Sequence, residues 1–554
     1  MRICLTIFAL AGAVAAQPAA ASADFQACDG YEIPSAKSDG MTTTGLLWGL
    51  ARGNADIRKG ATTIVASEGV LFCDQALADP LLLPAYQLRR AHLLQAKAVH
   101  QIAGRDPAGA LQSLEQSDAI GKVIGTAAFA NSVALGNHEV RAFALAALGR
   151  KLEAIAETEA LAAARPWSPS TQRLAFAIRM KIDPDLDGQL KGMKAGAPID
   201  PAMLGNIFWI AMGAGKFDIA ASVGGQIDFE MPGTRGNWTI ANEDTRKYRI
   251  IVDRAGQAGA WAYSLATTGQ GPAGEAAIAS ARRIANEAMA PPPMPESGKL
   301  SKSAARDLAL RQDAGLRALD LLDKWEWAVR FREQIAQKTP DDLMAGLKAF
   351  GPAQGDNPTP RDIVSDMLGH LPAPTPAAVA QRDAIVAAFY QRFDTARRHG
   401  LEMSTADLEK ALPRPETPAM QPNFKHAGDG YFLSDNGFSQ RRLDDPEIRT
   451  VRFTHGLASA ATVEELALLS AATLAQREGK DGLLILSRRN LERTTTMVGY
   501  YSNGAEIPSG REASMNVVFV KIGALPERYK GYDWRVLNVA TIIADLAPRF
   551  VAAQ

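Results

Sequence analysis

The chain has 554 residues, with 60 basic and 60 acidic side chains, seven histidines, three cysteines, 47% apolar residues and only 7% aromatic ones. The even charge balance excludes a broad basic face for nucleic acid or anionic lipid, and the length calls for more than one folding unit. Abundant Ala with few aromatics suits helices that pack through small side chains.

The first residues have the parts of an export signal. Met1-Arg2 is followed by an uncharged run from Ile3 to Ala16 and by Ala21-Ser22-Ala23 ahead of Asp24. This predicts a signal peptide over 1–23 and a periplasmic mature chain. Val14-Ala15-Ala16 offers an alternative cleavage site. The apolar run is shorter than the roughly 20 residues that span a bilayer. Cys28 follows Phe25-Gln26-Ala27, which is not a lipoprotein context. Loss of Cys4 with the signal leaves Cys28 and Cys73. In an oxidising compartment these two either pair, tying the N-terminal segment to the helix around Val70 to Leu77, or stay as separate thiols with Cys73 buried. No later stretch is apolar enough to span a membrane; the Ala-rich 142–164 carries Arg150, Lys151, Glu153, Glu157 and Glu159.

From about 43 to 399 the spacing predicts paired helices separated by Gly or Pro turns. Residues 86–102 place Leu88, Ala91, Leu94, Ala98 and Ile102 on one stripe. The next unit spans 139–166: Leu148-Gly149-Arg150-Lys151-Leu152-Glu153-Ala154-Ile155 forms a turn between helices, and Pro166 closes it. The same skeleton recurs as Gly215, Ala220 and Pro232, and as Ala328 and Pro340 with its turn at Asp323-Lys324-Trp325-Glu326-Trp327-Ala328. A further unit is expected around 269–289. This pattern resembles the tetratricopeptide repeat, where Gly relieves the bend and Ala allows close helix contact. The resemblance implies a mainly α fold, an α-solenoid of helix pairs over 24–410. Ala142 and Leu145 depart from the repeat's earlier Gly and Tyr positions.

Several short motifs suggest chemistry and are answered by simpler readings. Asp183-Pro184-Asp185-Leu186-Asp187-Gly188 begins like a calcium loop, but Lys194 stands where a bidentate carboxylate belongs, so an interhelical turn is expected. His92 and His100 share a helix without a third ligand at close spacing. His138-Glu139 is expected at a helix start, where the helix dipole favours the Glu. Gly213-Ala214-Gly215-Lys216 lacks the Ser/Thr and the preceding strand of a phosphate loop. No catalytic residue, metal or cofactor is indicated.

A Pro-rich linker over 411–425 separates the helical region from 426–554, where strand patterns appear. Strands are expected at 431–433, 449–454, 483–486, 494–499 and 515–522, and helices at 463–475 and 535–546. Tyr500 to Gly510 reads as a long hairpin loop. Gly437-Phe438-Ser439, Arg449 to Phe453, Thr462-Val463-Glu464-Glu465-Leu466-Ala467-Leu468-Leu469, Gly482 to Ser487 and Tyr532-Asp533 resemble a small α+β domain of bacterial envelope proteins and lipoproteins of unassigned function. The likeness implies a fold and an envelope location, with no catalytic residues. Arg441-Arg442, Arg488-Arg489 and Arg493 offer either a surface for an acidic partner or solvated strand faces. The expectation is a non-enzymatic periplasmic scaffold that binds a protein or peptide partner, with Trp325 and Trp327 as candidate contacts. The alternative is an envelope enzyme acting on a cell-wall polymer, with the repeats as a substrate platform.

Overall fold

The computed structural model describes residues 24–31, 33–34, 45–46, 51–52, 67–183, 185–227, 240–293, 300–337, 339, 341–342, 363–401, 422, 424, 436–443, 445–499 and 502–550. The signal peptide expected over 1–23, Pro232, Pro340, the strand expected at 431–433, and all of 411–425 except 422 and 424 lie outside these residues.

The chain is mainly helical, with a small antiparallel sheet towards its C-terminus. A short helix α1 at 24–29 and a two-residue strand pair, β1 (Gly45–Leu46) with β2 (Ala51–Arg52), precede α2 (Ser67–Ala78). Helices α3 (Gln87–Ala103) and α4 (Pro107–Ile124), α5 (Ala134–Ala147) and α6 (Lys151–Ala164), and α7 (Pro169–Ile182) and α8 (Leu186–Gly196) follow in pairs. Beyond them come α9 (Ala202–Gly213), α10 (Phe217–Gly224), α11 (Ile240–Thr267), α12 (Gly271–Met289), α13 (Lys302–Glu333), α14 (Val364–Gly369) and α15 (Pro376–Leu401).

Four of the helix pairs close in one way. A single residue at each turn adopts the left-handed conformation: Arg105 (φ 63°), Gly149 (φ 76°), Gly215 (φ 71°) and Gly269 (φ 79°). The next N–H then reaches back to a carbonyl near the end of the preceding helix. Asp106 donates to Gln101 (2.8 Å), Arg150 to Leu145 (2.9 Å), Lys216 to Ala211 (2.8 Å) and Gln270 to Leu265 (2.8 Å). This satisfies carbonyls that the helix end would leave orphaned. Ala154 and Ala220 are both completely buried, so at these positions the helices after the Gly149 and Gly215 turns can approach their neighbours closely. Pro166 lies in the bend between α6 and α7.

The unit expected to turn at 323–328 is different. Residues 302–333 form one continuous helix of 32 residues, and Ala328 is buried within it. No Gly or Pro interrupts 320–330, and Lys324–Asp320 and Arg330–Glu326 pair along its surface at i,i+4 spacing, which supports continuity. Trp325 is core rather than contact surface. It is fully buried, and a Cβ at Gly259 of α11 would come within 2.2 Å of its ring. Trp327 stacks on Phe331 at 4.7 Å.

The described residues divide into two compact units that do not follow the linear order. One comprises the residues up to Gln189, Pro198–Asp200 and those from Ala396 onwards; the other comprises Leu190–Ala197 and Pro201–Thr395. The N-terminal helices and the C-terminal sheet thus share a unit, while α9 to α14 belong to the other.

The sheet is built from β3 (Gly437–Arg442), β4 (Ile448–His455), β5 (Gly482–Gly499), β6 (Ser502–Val520) and β7 (Leu537–Asn538), in the order β3-β4-β6-β5-β7, with every pairing antiparallel. Helix α16 (Ala460–Arg477) packs on one face and α17 (Val539–Phe550) ends the described chain. The strands expected at 483–486 and 494–499 are one strand, and most of the loop expected at 500–510 is the start of β6, since pairing continues to Gly499 opposite Ser502. Register shifts at 485/487, 493/494 and 497/499 broke the alternation on which a strand assignment depends. Val451, Phe453, Leu466, Leu469, Ile485, Met515 and Val517 form the core, and Ile199 adds to it.

Candidate functional site

The N-terminal segment is clamped to α3. Cys28 and Cys73 form a disulfide, and both are buried. Arg89, His92 and His100, spaced along one side of α3, reach the same segment. Arg89 donates to Asp29 Oδ1 at 2.8 Å, His92 Nδ1 lies 3.0 Å from Asp29 Oδ2, and His100 Nε2 lies 3.0 Å from the Cys28 carbonyl. Burial pushes His100 below its ordinary value, against the opposing pull of the Cys28 carbonyl and the Asp29 charge. The sequence shows that the two histidines can share a face; their partners, 63 and 72 positions away, are tertiary.

A π-helical turn, Phe129–Val133, runs directly into α5, which places His138 and Glu139 inside the helix rather than at its start. The capping role expected for Glu139 is thereby corrected; it is fully buried. Gln95 of α3 donates to the Val133 carbonyl (2.7 Å) and to Asn137 Oδ1 (2.9 Å), so the irregular turn keeps a partner. His138 (2.7 Å) and Arg141 (3.3 Å) meet Glu157, and together they hold its carboxyl below its ordinary value although burial pushes it up.

The aspartate cluster caps a helix. Gly188 N–H donates to Asp185 Oδ2 (3.0 Å), Asp187 N–H to Asp185 Oδ1 (3.3 Å) and Asp185 N–H to Asp183 Oδ1 (3.2 Å), while Lys151 pairs with Asp183 at 2.8 Å. Oxygens that would face an ion instead face backbone donors at the start of α8. Gly215 with its neighbours forms the α9–α10 turn. Among the described residues, no three His, Cys, Asp or Glu side chains converge as metal ligands, and no helix is long and apolar enough to cross a membrane.

A dense, buried polar site lies where α16 meets the bend after α6. Glu464 and Glu465 are adjacent on α16 and both buried. Successive helical positions point about 100° apart, so the two carboxylates face different partners. Arg165 grips Glu465 with both arms of its guanidinium (3.1 and 2.7 Å) and also donates to Thr462 Oγ1 (2.9 Å). Arg549 reaches Glu465 (3.3 Å) and Asn131 Oδ1 (3.0 Å), and Asn131 sits in the π turn. Glu464 accepts from Ser168 Oγ (2.7 Å), Ser170 N–H (3.0 Å), Ser170 Oγ (2.8 Å) and Asn490. Ser168 at the same time caps α7 by accepting the Thr171 N–H. Trp167 donates to Asp545 at 2.9 Å. The Thr462-to-Leu469 motif therefore has a physical role here. It docks the sheet module on the N-terminal helices with two buried carboxylates whose hydrogen bonds are made within the protein.

The arginine pairs are divided by the strands. Between Ile485 and Ser487 the register of β5 shifts past Leu486, which directs Ser487 and Arg489 to one face and Arg488 to the other. Arg488 donates to the Glu464 carbonyl (2.8 Å) and the Ile199 carbonyl (3.4 Å), joining the buried side. Arg441 and Arg442 likewise alternate across β3. Of the repeat residues, Gly149, Ala154 and Pro166 lie in one compact unit and Gly215, Ala220 and Ala328 in the other. Comparison of the chain with protein-family models, curated proteins and solved structures finds no match.

Proposed function

We propose that this chain is an exported, non-enzymatic periplasmic scaffold that binds a protein or peptide partner, its helix pairs arranged as tetratricopeptide-like repeats and its α+β module as a second docking surface. The observation that carries the reading is the recurrent hairpin closure, a left-handed residue at each turn with Ala154 and Ala220 buried beyond the Gly149 and Gly215 turns. Such pairs bury their apolar faces against one another and leave a surface for recognition on the helices of each unit. The Cys28–Cys73 disulfide suits an oxidising compartment. Crosslinking of the mature protein in periplasmic extract, with mass spectrometry of the products, tests the reading. A saturable protein partner whose crosslinks return to the same surface on repetition is expected; products limited to glycan fragments, or none that saturate, would overturn it.

A further inference from the structure

The sheet has two faces, and α16 packs on only one of them. The register identifies what the other presents. Ser439, Arg452, Ser514 and Arg489 stand side by side in one row across β3, β4, β6 and β5. The adjacent row is Arg441, Thr450, Asn516 and Ser487. Every one of these residues is half-exposed or exposed, and the Arg452 side chain retains 43% of its accessible surface. Beyond the second row, Ile448, Val518 and Leu484 continue the face as an apolar strip on which Tyr529 and Tyr532 pack, so the polar rows have a defined end.

Arg452 and Arg489 flank Ser514 from the neighbouring strands, which sets their backbones about 10 Å apart. Arg452 donates to Ser439 Oγ (3.1 Å) and lies 3.5 Å from Glu512; Thr450 donates to Asn516 Oδ1 (2.8 Å). Among the described residues, Arg441, Arg452 and Arg489 bring three guanidinium groups to these two rows and Glu512 one carboxylate beside them, an arginine-rich patch on a chain whose overall charge is zero. We propose that this face docks an acidic peptide segment of a protein partner. Guanidinium forks match carboxylates, while the hydroxyl and amide groups of Ser439, Thr450, Ser514 and Asn516 can both donate and accept, as a peptide backbone requires. A polyphosphate has no donors to offer those acceptors. An extended acidic segment carries side chains of alternate residues on one side about 7 Å apart, a spacing that flexible arginines on this face can follow.

The inference rests on the scaffold reading and specifies its partner chemistry. The full mature protein is titrated against a labelled ten-residue alternating Glu-Ala peptide by fluorescence anisotropy, with polyphosphate of equal charge as comparison. Salt-sensitive binding of the peptide is expected, weakened at least tenfold by Ser514→Glu, which sets a carboxylate between the two arginines. Arg441→Ser, at an exposed position, is expected to weaken it about threefold with unchanged melting, and it serves if Ser514→Glu does not fold. Absence of peptide binding, equal affinity in folded variants, or polyphosphate binding as tightly as peptide would each overturn the proposal. A saturable partner in periplasmic extract that is captured equally by Ser514→Glu would overturn this face while leaving the scaffold reading standing; absence of any such partner would overturn the scaffold reading.

Discussion

Arg105 occupies the left-handed position that Gly149, Gly215 and Gly269 fill in the corresponding turns. A non-glycine residue there carries a Cβ penalty of about 1 kcal/mol. Arg105→Gly is therefore expected to stabilise the protein by a few tenths of a kcal/mol, because relief of the strain slightly outweighs the added unfolded-state entropy; a denaturant midpoint that falls would contradict this. His100 gives a signed pH effect. Burial holds its folded value below the ordinary 6.5, so as pH falls through 6.5 the unfolded chain takes up the proton first. Stability present above that pH is lost on acidification towards the folded value. His100→Gln should flatten the melting-temperature profile between pH 7 and 5, and an unchanged slope would show that the drop belongs to other groups. Glu157 acts in a lower window. Its depressed value stabilises the fold above its ordinary 4.5, and that contribution fades as pH falls below it.

At the scale of elements, local chemistry was legible and long-range chemistry was not. Turns around Gly149 and Gly215 could be read because the bend, the buried Ala and the apolar stripe fall within a few residues of one another. The expected turn at Asp323 failed because an Ala and a distant Pro do not interrupt a helix, and no Gly or Pro lies between Asp323 and the helix end at Glu333. The docking of α16 could not be read, since Arg165 and Glu465 are 300 positions apart and a pair of adjacent glutamates ordinarily reads as a solvated helix face. The shift at Leu486 hid which arginines share a face. Removing one member of the Arg165–Glu465 pair leaves a buried charge without its main partner. Arg165→Met is expected to destabilise by about 3 to 5 kcal/mol, whereas Arg165→Met with Glu465→Met should recover a large part of that loss. A double variant no more stable than the single one would show that Thr462, Asn131 and Arg549 carry more of the site than the pair itself.

For the whole molecule, the compact units do not follow the order of the chain. Helices near the N-terminus and the C-terminal sheet belong to one compact unit, and α9 to α14, which lie between them in the sequence, belong to the other. The disulfide adds a covalent closure over 45 positions near the start of the first unit. In the chain-entropy picture a closure of that size is worth about 4 kcal/mol. Cys28→Ala with Cys73→Ala should lower one calorimetric transition and leave a second in place; a uniform fall of all transitions would mean that the units do not melt separately. The most direct test of the shared unit is hydrogen–deuterium exchange on Arg165→Met. Peptides from α5 to α7 and from α16 with β4 to β6 are predicted to lose protection together, while those of α11 and α13 keep theirs. Loosening confined to the sheet, with α5 to α7 as protected as in the unsubstituted protein, would contradict the account.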